Sequence, residues 1–237
     1  MEKALATVSR LNGPERAEFW RSRFERFSQM PGSNRKFRRI ITIPEKDQLS
    51  DYLVEIIYAL IFAGLGFQVQ VEPYGEKGAD FKVLRRGEHA LLEIRHFRSV
   101  NPGPQSIPLT EQAFLEGTFL LEKYGDPERA VNNAFDKLAP KFKQISNENS
   151  IIAIWNDADD FEDIEMESVH QLFLQMVRQY KPLYENVVFM LYGSDLIRSN
   201  AQLYCYPLKT AISPEQQSWM DDLRQSSVEQ LIQEALL

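Results

Sequence analysis

The sequence predicts an α/β fold, and three observations carry that expectation. A nearly all-apolar helical stretch, stopped by Gly64 and Gly66, runs straight into three strand-like segments. The second and third of these are joined by the short turn Arg86-Gly87. Farther on, the short apolar runs Ile151–Trp155 and Val187–Tyr192 are separated by a helical pattern near 164–180, which continues the α/β alternation.

Taken in order, residues 14–28 read as an amphipathic helix, with Phe19, Trp20, Phe24 and Phe27 near helical spacing and arginines between them. Met30-Pro31-Gly32-Ser33-Asn34 breaks it. Thr42-Ile43-Pro44-Glu45 has the form of a helix start: a threonine N-cap, proline in the first turn, and Glu45 placed to close a capping box. That helix runs to about Ala63. The strands are Phe67–Glu72, which alternates strictly and ends at Pro73, then Ala79–Arg85 and His89–Phe97, with Gly87 available for a positive φ. Ser99–Leu109 holds three prolines and a glycine and reads as a loop. Helical patterns resume at 111–124 and after Asp126-Pro127, an N-cap followed by proline at the first helical position. Leu203–Tyr206 reads as a further strand, and Pro214 opens a final helix. Its apolar set, Trp219, Met220, Leu223, Leu231 and Ile232, packs inside the chain or forms the seam of a homodimer. The expected organisation is a basic helical extension over 1–40 and an α/β core over 41–160. A continuation of the same domain, with its terminal helix, spans 161–237.

Composition narrows the function classes. A hydrophobic share of 43% and a charged share of 26% are ordinary for a globular protein. One cysteine, Cys205, excludes an intramolecular disulfide and a cysteine-rich zinc site, which suits a reducing compartment. Met1-Glu2-Lys3-Ala4 leads into no apolar run, and Tyr52–Leu65 is too short to span a bilayer and carries a charge. The expectation is a cytoplasmic protein without a membrane partner. Net charge is −7, but it is unevenly spread. Arginine and lysine crowd residues 15–39, whereas residues 144–177 contain neither and concentrate aspartate and glutamate. Arg35, Lys36, Arg38 and Arg39, interleaved with Phe37, have the pattern of a surface that follows a nucleic-acid backbone, or else of a solvated face.

The residues with chemistry to offer are acids. Between Tyr52 and Ala63 the helix is apolar nearly all round, and Glu55 is its one charged residue. A carboxylate there costs several kcal/mol unless it is neutralised, ion-paired or bound to a metal. On the hairpin, a turn centred on Arg86-Gly87 sets Asp80 directly opposite Glu93. Two like charges in opposed positions destabilise a sheet unless a cation lies between them. Lys82 or Arg95, on the same faces, could supply it, and so could Mg²⁺ or Mn²⁺.

A helix bearing Glu55, then Gly78-Ala79-Asp80, then Glu93-Ile94-Arg95 on the next strand resembles the PD-(D/E)XK, or restriction-endonuclease-like, superfamily. Ala79 stands where the motif has proline, and Arg95 where it has lysine. The resemblance implies a core of helix, three-stranded meander, helix and strand over residues 42–156, with helical additions at both ends. It implies that Asp80, Glu93 and Glu55 hold magnesium or manganese, and that the chain hydrolyses phosphodiester bonds in DNA. Arg95 stays protonated and so clamps phosphate rather than acting as a base. Lys82, on the Asp80 face, is the candidate for a relocated lysine. Lys141 and Gln144, on the polar face of the helix after Asp126, are placed for phosphate contact or for solvent. The alternative is a nuclease-like fold without catalysis that binds nucleic acid or serves assembly.

Three histidines, His89, His96 and His170, lack metal-ligand spacing, and His96 should point away from Glu93. There is no phosphate-binding glycine loop, dinucleotide fingerprint or nucleophile elbow.

Overall fold

A computed structural model of the chain describes residues 1–75, 78–98, 138, 148–157, 163–179, 186–194, 203–209 and 211–236. The elements are α1 (Glu2–Asn12), α2 (Pro14–Ser28), α3 (Ser33–Thr42), α4 (Lys46–Gly64), β1 (Gln68–Val71), β2 (Phe81–Arg85), β3 (Glu88–Arg98), β4 (Ser150–Asp157), α5 (Asp163–Gln179), β5 (Val187–Ser194), β6 (Leu203–Pro207), α6 (Pro214–Gln225) and α7 (Val228–Leu236). The strands form one six-stranded open sheet in the order β1-β2-β3-β4-β5-β6. The first three pair antiparallel, β3, β4 and β5 run parallel, and β6 returns antiparallel on β5.

Both faces of the sheet are covered, which explains why β4 reads as an unbroken apolar run rather than an alternating one. On one face Phe81, Val83, Leu92, Ile94, Ile151 and Trp155 share a core with α4 and with buried residues of α1, α2, α3, α6 and α7. On the other, Leu91, Ile152, Ile154 and Met190 pack with Met166, Val169 and Phe173 of α5 and with Leu138. Leu138 is helical and buried, as the apolar face of the helix after Asp126 requires. The rest of that helix, the pattern at 111–124 and the loop Ser99–Leu109 lie outside the described residues. Trp219, Met220, Leu223, Leu231 and Ile232 are all buried in the chain's own core. They therefore serve packing, the first of the two roles expected of them. No helix among the described residues is long and apolar enough to cross a membrane.

The segment before α4 differs from the sequence expectation. Ser33–Thr42, the basic run, is itself a helix, and Thr42 is its last residue. The Thr42 hydroxyl donates back to the Arg39 carbonyl at 2.9 Å instead of capping α4. Pro44 explains this. The residue before a proline is driven out of helical geometry, and Ile43 is extended at φ −69, ψ 124. Pro44 thus ends one helix, and α4 begins two residues later with Glu45 at its N-cap and no side-chain cap bond. α1 lies within the helical extension expected over 1–40 and buries Ala4, Leu5, Thr7 and Val8 on one face. The final helix is two, because Ser226 turns extended after α6.

α3 is bound closely to β1. The Val71 N–H donates to the Pro31 carbonyl at 2.8 Å. Gly32, at φ 90, lies so near the Val71 carbonyl that a Cβ would collide with it. The buried side of α3 consists of Ser33, Lys36, Phe37 and Ile40, one helical stripe.

Candidate functional site

The site is built on the hairpin register. Phe81 pairs with Leu92, Lys82 with Leu91 and Arg85 with Glu88, which is the register set by a turn centred on Arg86-Gly87. Both turn residues have positive φ, 50 and 84, the pattern that matches strand twist in a two-residue hairpin loop. β2 begins at Phe81, one residue after Asp80. The Asp80 carboxylate continues the pairing in its own way, because Oδ2 accepts from the Ile94 N–H at 3.0 Å. Its backbone carbonyl also accepts from the Glu72 N–H at 2.8 Å. Asp80 is therefore pinned beside Glu93, which is only 1% exposed.

Into this corner comes Lys36. Its side chain is 1% exposed, and its ammonium is in direct contact with Glu55 Oε2, 3.3 Å from Asp80 Oδ1 and 3.6 Å from Glu72 Oε1. The rings of Phe81 and Tyr52 lie 5.4 and 5.7 Å from Nζ, within cation–π range. Arg39 grips Glu72 with both ends of its fork, at 2.8 and 3.1 Å. The Arg35 guanidinium donates to the Glu72 carbonyl at 2.9 Å. Glu72 needs such restraint, since its φ of 47 is uncommon for a residue with a side chain.

The electrostatics follow from that crowding. Burial first, and the neighbouring Asp80 next, push the Glu55 carboxyl up to about 8, and Glu93 adds to the rise while Lys36 opposes it. Burial works against the Lys36 ammonium, yet Glu55, Asp80 and Glu72 outweigh it and raise its pKa above the usual lysine value. Among the described residues, Lys36 and Arg39 thus stand among Glu55, Asp80 and Glu72, with Glu93 close enough for Glu55 to feel it.

The structure brings Glu55 and Asp80 together, with Glu93 near, as the sequence suggested. It adds Lys36 and Glu72, which the sequence reading had not placed there. Lys36 had been set beside Arg35, Arg38 and Arg39 as a surface cation. It is instead buried, because it shares the inward stripe of α3 with Phe37 and Ile40. That stripe was the available signal. Arg35 and Arg38 are exposed, and Arg39 is partly buried against Glu72. Lys82 faces a different partner, with Nζ 3.9 Å from Glu148 Oε2. Glu148 also meets His89 Nε2 at 3.1 Å and the hydroxyl of Tyr74. Tyr74 is 57% exposed. Arg95 is half-buried, two residues along β3 from Glu93, and its Nε has no hydrogen-bond partner among the described residues. Lys141 and Gln144 lie outside the described residues.

His96 points to the α4 face, away from Glu93, but it is not merely packed. Its Nδ1 lies 3.0 Å from Asp51 Oδ1 and its Nε2 lies 2.7 Å from Asp157 Oδ2. The Trp155 indole donates to the other Asp157 oxygen at 2.9 Å. Burial disfavours the imidazolium, but hydrogen bonds to Asp157 and Asp51 outweigh it and raise the His96 pKa. His170 is structural, with Nε2 2.8 Å from the Pro207 carbonyl.

As arranged, the acids do not fit a metal ion. Among the described residues no group of three histidines, cysteines, aspartates or glutamates has the spacing to hold one, and Lys36 fills the space between Glu55 and Asp80. No protein-family model matches the chain, and neither a curated protein nor a solved structure matches it.

Proposed function

We propose that the chain is a nuclease that hydrolyses phosphodiester bonds in DNA, with Glu55, Asp80 and Glu93 as its working acids. One observation carries the reading: three carboxylates from separate elements converge where β2 begins and β3 continues, alongside a helix that exposes Arg35 and Arg38. The order of helix, three-stranded meander and parallel strand in a mixed sheet is what a restriction-endonuclease-like core would have, and it supports the same conclusion.

In this reading Arg35 and Arg38 follow the phosphate backbone, and Arg95 lends a fixed positive charge to the scissile phosphate. Glu55, with its carboxyl lifted to about 8 by burial and Asp80, is the acid that exchanges a proton near neutrality, which suits it to the proton of a reacting water. A divalent cation, magnesium or manganese, would polarise the phosphate and acidify that water when bound. No step passes through such an ion while Lys36 holds its present place.

The test is incubation of the protein with supercoiled and linear DNA in Mg²⁺ or Mn²⁺. Loss of intact DNA is expected for the wild type, with at least a 100-fold drop for Asp80→Ala. An inert wild type, or an Asp80→Ala variant that cuts normally, rules the reading out.

A second reading has its own support. Lysine in the acid cluster and arginine at the motif-lysine position favour a fold that binds nucleic acid, or serves assembly, without cutting it. That reading expects DNA binding with a steep salt dependence and no need for divalent metal.

A further inference from the structure

We propose that Tyr74 is a stacking platform for one unpaired base of a DNA strand whose phosphates run onto Arg35 and Arg38, so that the chain holds single-stranded DNA in preference to intact duplex. The inference deepens the proposed function by naming its substrate class, and it rests on that reading for what becomes of the strand once bound.

The ring itself is the first observation. Of the large apolar side chains exposed among the described residues, Tyr74 is the most exposed. The other two exposed rings already have neighbours. The Arg23 guanidinium lies 3.7 Å from the centre of the Phe19 ring, and the Tyr192 ring lies 6.4 Å from that of Tyr204. Among the described residues no ring or cation lies against Tyr74, and what the fold holds is its hydroxyl.

That ring is nevertheless fixed at both ends. Its hydroxyl donates to Glu148 Oε1, and the other Glu148 oxygen meets His89 Nε2 at 3.1 Å and Lys82 Nζ at 3.9 Å. At the backbone end, the Gly75 N–H donates to the Glu72 carbonyl at 3.1 Å and the Gly78 N–H to the Gly75 carbonyl at 3.2 Å. Gly78 lies so near that a Cβ there would come within 2.7 Å of Tyr74 Cβ. A side chain ordered before binding loses little entropy on binding, which is what makes an exposed aromatic a good contact surface.

Charge selects the ligand. The Glu72 carbonyl that accepts from Gly75 also accepts from the Arg35 guanidinium at 2.9 Å, so an exposed cation stands at the base of the Tyr74 turn. Arg38 is exposed on the same helix, three residues on and so on the same face. Neither arginine has a carboxylate partner among the described residues, whereas the nearby acids are matched: Glu72 by Arg39 and Lys36, Glu148 by His89 and Lys82. Unmatched cations beside a bare ring suit a polyanion that carries flat bases. A duplex stacks its bases on one another, so only an unpaired base can cover Tyr74. A sugar or an apolar peptide would use the ring and leave the arginines idle.

The experiment titrates the full chain, in EDTA and at low salt, into three labelled DNAs followed by fluorescence anisotropy: an oligothymidylate, an abasic strand of the same length and a duplex. The wild type is expected to bind the oligothymidylate more tightly than the duplex. Tyr74→Ala should weaken oligothymidylate binding by about tenfold, the usual loss for one stacked base, and leave abasic binding unchanged. Tyr74→Phe, which keeps the ring and loses the tether, should retain most of the affinity. Arg35→Ala should weaken both strands alike and lower the salt slope. The proposal is overturned by equal wild-type affinity for strand and duplex, or by no strand binding at all. It is overturned equally by a Tyr74→Ala loss shared by the abasic strand, or by a Tyr74→Phe loss as large as that of alanine. If the stacking pattern holds and no DNA is cut in Mg²⁺ or Mn²⁺, the platform stands and the nuclease reading falls. If DNA is cut and Tyr74→Ala binds the strand normally, the nuclease reading stands without the platform.

Discussion

Lys36 lies beyond one end of β2 and Arg85 closes the other, and both cations are buried, yet their surroundings differ in kind. Arg85 is 8% exposed. It donates to Glu215 at 2.7 Å, to Asp222 at 2.8 Å, to the Ser218 hydroxyl at 3.1 Å and to the Leu65 carbonyl at 3.2 Å. Its guanidinium also sits 4.9 Å from the centre of the Phe67 ring. Glu215 has Arg86 as a second partner at 3.2 Å, so two acids face two guanidiniums. The Arg85 network is saturated and charge-balanced, and it ties the hairpin to α6. The Lys36 network centres on a buried point charge that Glu55, Asp80 and Glu72 approach from three elements. The first has the properties of a structural clamp that holds one helix to the hairpin, whereas the second gathers acids from α4, β1 and the start of β2 around one buried ammonium.

The largest expected effect tests that contrast directly. Lys36→Met and Arg85→Met should each lower stability in EDTA by about 3–5 kcal/mol, the usual result of removing one partner from a buried ion pair, as read from urea unfolding. Adding Asp80→Asn should restore part of the Lys36→Met loss, because it removes one carboxylate that the lost ammonium faced, and none of the Arg85→Met loss. Recovery in both variants, or in neither, would dissolve the distinction. Next in size, Asp80→Asn should lose most DNA cleavage while costing only about 1–2 kcal/mol. The asparagine oxygen can still accept from the Ile94 N–H, so the hairpin keeps its bond and loses only a charge.

His96 offers a third kind of buried cation, one that pH can switch off. Its pKa is raised in the folded state by Asp157 and Asp51 against the opposing effect of burial. The stability it contributes is therefore fully present below the unfolded histidine pKa, about 6.5. That stability is lost as pH rises through the higher folded value. The slope is at most about 1.4 kcal/mol per pH unit. Urea midpoints measured from pH 6 upward should fall in the wild type, and His96→Gln should flatten that part of the profile. Smallest of all, Arg38→Ala on the exposed side of α3 should change stability by less than about 0.5 kcal/mol. It should weaken DNA binding for all sequences alike and reduce the salt slope by about one. An unchanged slope would remove α3 from the proposed DNA surface.

Much of the scaffold was legible in the residues. The extent of α2, the three strands of the meander, β4, β5 and β6 all follow from period and turn chemistry. The hairpin register followed from two residues, since Arg86-Gly87 admits the positive φ values a tight turn needs. Reading failed where two local signals competed. Thr42-Ile43-Pro44-Glu45 fits a helix start as well as a helix end, and Pro44, by holding Ile43 extended, ends α3 there. Of the site, Glu55, Asp80 and Glu93 were visible as misplaced or opposed acids. Lys82 and Lys36 exchanged expected roles, because a lysine in a charged run looks solvated until packing shows which one is dry.

The sequence by itself thus determined the order of helices and strands and the placing of Asp80 beside Glu93. These depend on backbone periodicity and turn geometry, and both are set by near neighbours. Only the tertiary structure decided which cation those acids receive. Lys36 lies 44 residues before Asp80, and it reaches the cluster because α3 packs on β1 through the close approach at Gly32. Long-range contact of that sort depends on how helices settle on a sheet, where desolvation, not local pattern, selects one charge among several.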